Sequence, residues 1–253
     1  MRDRLLRVVW VAGFVGGLGP GCSVAQTVPA QGARYRIEVA GNVVTLTDLS
    51  AIAVTGFRGT YDCGSAGKPS SVAEDSVILG MGTAEQPKSS LAFQEPSGEC
   101  TGGIDVIVFA DGQHVGGPDA WKRVVIQRSA AYAEVTGLLA LAEGVPAKDW
   151  KLADLVGQIG KLWSALRASQ NMGVDERRGR LMVLETAMNG LPQEEKKAAV
   201  KTPAASRTLT VTALIRWINA LDGALGKDRV EMSSGLARVQ ESREVELASL
   251  STY

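Results

Sequence analysis

Ile104-Asp105-Val106-Ile107-Val108-Phe109-Ala110-Asp111-Gly112, followed by Gly117-Pro118 and then Trp121-Lys122-Arg123-Val124-Val125, is the stretch on which the fold turns. The unbroken apolar run Val106–Phe109 reads as a strand in a central position. Asp111-Gly112 ends it with turn chemistry. Beyond Pro118 the apolar period changes from short β-branched runs to helical spacing. Trp121, Val124, Val125, Arg128, Tyr132, Val135, Leu138 and Leu139 recur on one side of a helix. The chain therefore divides near Gly117 into a β-rich half and a helical half.

Working back towards the N-terminus, Tyr35–Val39 alternates as a strand, Gly41-Asn42 is a turn, and Val43–Thr47 continues with β-branched residues, a hairpin pattern. Ile52–Phe57 is a third strand that could run on to Tyr61. Ser76–Leu79 and Leu91–Phe93 are weaker strands. Residues 64–75, 83–89 and 94–103 hold Gly, Pro and Ser and read as loops. Several short strands with turns between them predict an immunoglobulin-like β-sandwich over residues 34–117. A mixed α+β layer is the alternative. No Trp lies between Cys63 and Cys100, so the antibody-type arrangement is not supported.

Forward of Gly117, Pro118 suits a first helical turn and Gly144 with Pro146 ends that helix. Leu152, Leu155, Val156, Ile159, Leu162, Trp163 and Leu166 form a second stripe, with Asp149 as the expected N-cap. A third helix is expected from about Asp175 to Asn189, closed by Gly190 and Pro192, with a short polar helix over residues 193–200. Thr202–Ser206 reads as a linker. Leu209 to Leu225 is another stripe ended by Gly226, and a last helix from about Asp228 carries Leu236, Val239, Leu247 and Leu250. Broad stripes with short connections point to packed antiparallel helices over residues 118–253, or to a projecting helical hairpin. The predicted class is α+β: an N-terminal immunoglobulin-like β-sandwich followed by a C-terminal α-helical domain.

The first 25 residues set the compartment. Arg2, Arg4 and Arg7 precede the short apolar run Val8–Leu18, Pro20-Gly21 breaks it, and Ser23-Val24-Ala25 offers small residues to a signal peptidase. The layout is that of a secretory signal peptide cut between Ala25 and Gln26, leaving residues 26–33 as a short mature N-terminal segment. The apolar run is shorter than the roughly 20 residues a membrane span requires. Gly21-Cys22 raises lipidation at Cys22 as an alternative, although Gly19 stands where a lipoprotein signal has leucine. Membrane association is expected only through a lipidated Cys22 or an uncut leader.

The 253-residue chain has 27 basic and 27 acidic residues; three Arg and one Asp lie in the leader, so its removal shifts the net charge from 0 to −2. Such a balance gives no electrostatic footprint for nucleic acid. In an exported protein Cys63 and Cys100 read as one disulfide closing 36 residues, worth about 4 kcal/mol on the chain-entropy model, with two free thiols as the alternative. His114 is the lone histidine and no CxxC spacing exists, so zinc is disfavoured.

Candidate chemistry is sparse. Asp111 lies three residues from His114, but no Gly-x-Ser-x-Gly elbow is present. Glu95, Glu99, Asp105 and Asp111 could supply the paired carboxylates of a hydrolase. There is no Walker motif, dinucleotide fingerprint, HExxH or EF-hand loop, and no catalytic residue, metal or cofactor is assigned. Trp121, Trp150, Trp163 and Trp217 read as core or interface anchors rather than a ligand groove. Leu46–Val54, followed by Val108-Phe109-Ala110-Asp111-Gly112 and a helix, resembles a class of uncharacterised bacterial exported proteins with an immunoglobulin-like β domain followed by helices. The resemblance implies export and a sandwich, and carries no catalytic residue. The expected function is a non-enzymatic binding or structural protein of the bacterial envelope, periplasmic or secreted. Its partner would be a protein or a second copy, met through the helices; an exported hydrolase using carboxylates near Glu99–Asp111 is the alternative.

Overall fold

Short strands give way to long helices in the structure, a computed structural model that describes residues 5–8, 10–11, 35–40, 43–48, 54–62, 70–81, 93–94 and 101–226. In chain order these are β1 (Leu5–Val8), β2 (Trp10–Val11), β3 (Tyr35–Ala40), β4 (Val43–Asp48), β5 (Val54–Asp62), β6 (Ser70–Asp75), α1 (Ser76–Leu79), β7 (Phe93–Gln94), β8 (Thr101–Phe109), β9 (His114–Gly116), α2 (Pro118–Gly144), α3 (Leu152–Ala168), α4 (Val174–Lys197) and α5 (Pro203–Leu225). Two compact units divide them: Met1–Ser76 with Glu85–Lys122, and Val77–Ala84 with Arg123–Tyr253.

In the first unit, β6, β5, β8 and β9 form one antiparallel sheet in that order. The Val106–Phe109 run places β8 between β5 and β9. The hairpin read from Gly41-Asn42 is present as β3 paired with β4, Ala40 opposite Val43. β1 pairs with β4 and β2 with β7. Both β1 and β2 fall within the expected leader, so cleavage after Ala25 would remove them and leave the β3–β4 hairpin.

The immunoglobulin-like sandwich is not what forms. The described residues are mostly helical, with a small antiparallel sheet. A sandwich buries alternate residues and leaves the outer face of each sheet polar. In β8, Val106, Ile107, Val108 and Phe109 are all buried, and in β5 so are the neighbours Phe57 and Arg58. Successive residues point to opposite faces, so both faces of these strands are covered. Two local readings also change. Ser70–Asp75, read as loop, is the edge strand β6. Ser76–Leu79, read as strand, is the single helical turn α1, and the Ser76 hydroxyl donates to the Thr55 carbonyl at 2.8 Å.

The second unit is helical. α2 is buried at Gln127, Arg128, Ser129, Ala130 and Ala131 in succession, so its middle is enclosed on every side. Small residues there let neighbours approach: a Cβ at Gly179 of α4 would run into the Gln127 carbonyl, so the two backbones nearly touch. α3 is a peripheral amphipathic helix burying Leu152, Leu155, Ile159, Leu162 and Leu166. Its N-cap is Lys151 rather than Asp149, whose amide instead closes a turn on Pro146 at 3.0 Å.

α4 does not stop at Gly190-Pro192 but continues to Lys197. Helix-interior proline costs about 3 kcal/mol; the buried Ala187 and Leu191, in the turn just before it, anchor the helix as it passes through. Gly190 is not a stop signal: a Cβ there would collide with the Met81 sulfur, so the missing side chain makes room for a residue from far upstream. α4 ends in a Schellman turn, with Val200 N donating to Glu195 O and Ala199 N to Lys196 O; Ala199 takes the left-handed φ of 49° that glycine usually fills. Thr202, read as linker, caps α5 by accepting from the Ala205 amide at 3.2 Å.

One core cluster joins these helices. It includes Ile78 and Met81 from upstream with Val135, Leu138, Trp150, Ile159, Leu184, Leu191, Leu214 and Trp217. Trp217 Nε1 donates to the Val77 carbonyl at 3.0 Å. Met81 is left-handed (φ 49°), a conformation costing a non-glycine residue on the order of 1 kcal/mol, sustained by its burial.

Candidate functional site

The β8–β9 hairpin carries three of the residues singled out by sequence. Phe109 N donates to Gln113 O at 2.9 Å and Gly112 N to Phe109 O at 3.0 Å. The Asp111 carboxylate accepts from the Gln113 amide at 3.1 Å, an Asx turn, while Gly112 (φ 79°) supplies the left-handed position. Asp105, half-buried in β8, accepts from the Thr60 hydroxyl on β5. Gly116 (φ 143°) lies so close to Asp105 that a Cβ would strike its carbonyl. His114 stacks on Trp121 at the start of α2, with ring centroids 4.2 Å apart and planes inclined by 8°.

This geometry brings together His114 and Trp121 but not the two carboxylates. Asp105 sits mid-strand and Asp111 at the hairpin tip, separated by about 13 Å of strand at ~3.3 Å per residue. Paired catalytic carboxyls stand roughly 5–10 Å apart. Glu95 and Glu99, the other members of that set, lie outside the described residues. So do the expected disulfide residues Cys63 and Cys100, the cleavage site Ala25-Gln26, and Cys22.

The tryptophans divide by role. Trp150 is buried and donates to Ser206 Oγ at 2.9 Å; Trp217 is buried and bonded to Val77 O. Trp163 is half-buried on α3, its Nε1 donating to Glu185 Oε1 of α4 at 2.9 Å, with the Arg167 guanidinium 4.7 Å from its ring centre. Such a cation–π contact contributes about 0.5–1 kcal/mol at an exposed site.

The most concentrated polar chemistry is inside the helical unit, and sequence reading passed over most of it. Arg180 Nε of α4 donates to Glu134 Oε2 of α2 at 2.8 Å, and both side chains are 1% exposed. Arg180 Nη1 lies 3.8 Å from Met172 Sδ, and Gln127 Nε2 donates to Met182 Sδ at 3.2 Å. Arg128, fully buried, donates to the Ala224 carbonyl at 3.1 Å in the last turn of α5. Arg207, in the first turns of α5, donates to Val145 O and Glu143 O at the end of α2, both at 2.9 Å. α2 and α5 thus run antiparallel, and each receives an arginine from the other at its negative C-terminal end. The signal for this was Arg128 itself, a charged residue standing at an apolar position of the stripe.

This arrangement fixes helices rather than presenting groups to a substrate. Among the described residues no group of three or more His, Cys, Asp or Glu could hold a metal ion, and no helix is long and apolar enough to cross a membrane. Comparison of the chain with protein-family models, curated proteins and solved structures finds no match.

Proposed function

We propose that this chain is an exported, non-enzymatic binding or structural protein of the bacterial envelope, periplasmic or secreted. The observation that carries the reading is the leader: basic start, short apolar run, Pro20-Gly21 break and Ser23-Val24-Ala25. The engagement of the described candidate groups supports the non-enzymatic part. Asp105 holds Thr60, Asp111 holds its own turn, His114 stacks on Trp121, and Glu134 holds Arg180. The helical unit also leaves Val174 and Ile215 exposed, at 66% and 42%, as apolar points for a protein partner.

The test is fractionation of wild type and Cys22→Ala in a bacterial export system. The reading predicts both in the soluble envelope fraction. Membrane retention of wild type alone would identify a lipid-anchored protein, and cytoplasmic retention of both would overturn export. For the non-enzymatic part, Asp105→Ala and Asp111→Ala should change stability by about 1 kcal/mol, the worth of a hydrogen bond. A hydrolytic activity abolished by either variant with the fold intact would refute it.

A further inference from the structure

The described methionines of the helical unit differ in what surrounds their sulfurs. Met81 is 5% exposed, and its sulfur fills the space beside Gly190. Met188 is half-buried, its sulfur 3.9 Å from the place a Cβ of Gly160 would take. Met182 is half-buried and its sulfur accepts from Gln127 Nε2 at 3.2 Å. Met172 is half-buried in the non-helical connection between α3 and α4, where Asn171, Gly173 and Val174 beside it are exposed. Its sulfur accepts from Arg180 Nη1 at 3.8 Å, on the same guanidinium whose Nε holds Glu134. A thioether is a weak acceptor, whereas a sulfoxide oxygen is a strong one. The spacing suits that oxygen. An S–O bond of about 1.5 Å and a charge-assisted N–H···O contact of about 2.8 Å, meeting at roughly 120°, span about 3.8 Å. A sulfoxide at Met172 therefore bridges to Arg180 at the present separation of the two groups. At Met182 the 3.2 Å spacing is too short for the same insertion.

We propose that Met172 is a methionine-oxidation site whose sulfoxide is held by Arg180. The oxidant class is a peroxide, small enough to reach a half-buried side chain in an exposed connection. With hydrogen peroxide, the sulfur lone pair attacks one peroxide oxygen and the O–O bond breaks. That oxygen stays on sulfur, and the other leaves as water with both hydrogens. Sulfur gives up two electrons and the peroxide takes them. Sulfoxide formation ordinarily disrupts a packed region, because it makes an apolar side chain polar. At Met172 the new oxygen meets a buried cation instead. Oxidation thus ties the α3–α4 connection to the Arg180–Glu134 pair and tightens the helical unit.

The experiment uses the purified full chain, exposed to graded hydrogen peroxide, with each methionine peptide mapped by mass spectrometry for an added oxygen. Met172 should be oxidised ahead of Met81, Met182 and Met188. Urea unfolding then compares oxidised with untreated protein. Wild type oxidised at Met172 should gain about fivefold in its folding equilibrium constant, near the worth of one hydrogen bond. Met172→Leu given the same dose should gain nothing. In Glu134→Leu/Arg180→Leu, which removes both charges together, oxidation of Met172 should turn the gain into a loss. Oxidation of Met81, Met182 or Met188 ahead of Met172 would overturn the proposal. So would a wild type that gains no more on oxidation than Met172→Leu, or an undiminished gain in the double variant. The comparison with Met172→Leu leaves the buried pair intact, so it decides the matter even if the double variant does not fold. Because purified protein is blind to export, failure here leaves the envelope reading standing.

Discussion

Removing Arg180 from the helical unit isolates the buried ion pair. Arg180 Nε and Glu134 Oε2 are 2.8 Å apart and both side chains are 1% exposed. At an effective dielectric constant near 20 the attraction at this distance is about 6 kcal/mol, set against a desolvation cost of several kcal/mol per ion. The net worth of the pair is therefore small, yet breaking it is expensive. Arg180→Met leaves the Glu134 carboxylate buried beside an apolar chain and should cost about 3–5 kcal/mol. That is a large part of a domain stability of roughly 5–15 kcal/mol. The double variant Glu134→Leu/Arg180→Met removes both charges and should recover most of the loss. Urea unfolding followed by tryptophan fluorescence reports on this unit, where Trp150 and Trp217 are buried. A cost for Arg180→Met below about 1 kcal/mol, or a double variant no more stable than the single, would refute the claim that this pair locks α4 to α2.

Three further substitutions probe other joints. Ala199→Gly relieves the left-handed position of the α4 Schellman turn and should stabilise by about 0.5–1 kcal/mol in the same unfolding assay; a loss would contradict the cap geometry. Gly116→Ala combines φ 143° with a collision at the Asp105 carbonyl, and should destabilise by more than about 2 kcal/mol and speed amide exchange across Val106–Val108; a neutral outcome would mean β9 is misregistered. Arg207→Gln removes two charge-assisted bonds to the end of α2 and should cost about 1–2 kcal/mol, with unchanged stability refuting the reciprocal arginine arrangement.

Local chemistry explains which elements were legible. The Gly41-Asn42 turn, the Val106–Phe109 run, Pro118 at the start of α2 and Gly226 at the end of α5 carry their meaning in a few adjacent residues. The sandwich did not follow from them, because strand runs do not state how many faces are covered; only the consecutive burial along β8 does. Gly190 and Pro192 misled for a related reason. A glycine needed to admit Met81 is identical in sequence to a glycine that stops a helix. The entry of Val77–Met81 into the helical core depends on contacts spanning more than a hundred residues, such as Trp217 with Val77. Hydrophobic period alone cannot encode a contact of that range. Arg128 was visible as a charge in an apolar stripe, but its partner Ala224 lies on another helix; Glu134 stood outside that stripe, and its partner Arg180 is likewise on another helix.

The account of what this protein does stands on the proposal that residues 1–25 are a cleaved leader, and the intact mass of the chain recovered from an export-competent bacterium tests it most directly. The account predicts a product of residues 26–253, lighter by two hydrogens than its fully reduced form through a Cys63–Cys100 bridge. A full-length chain with its cysteines reduced would contradict it, removing both the envelope assignment and the disulfide that depends on it.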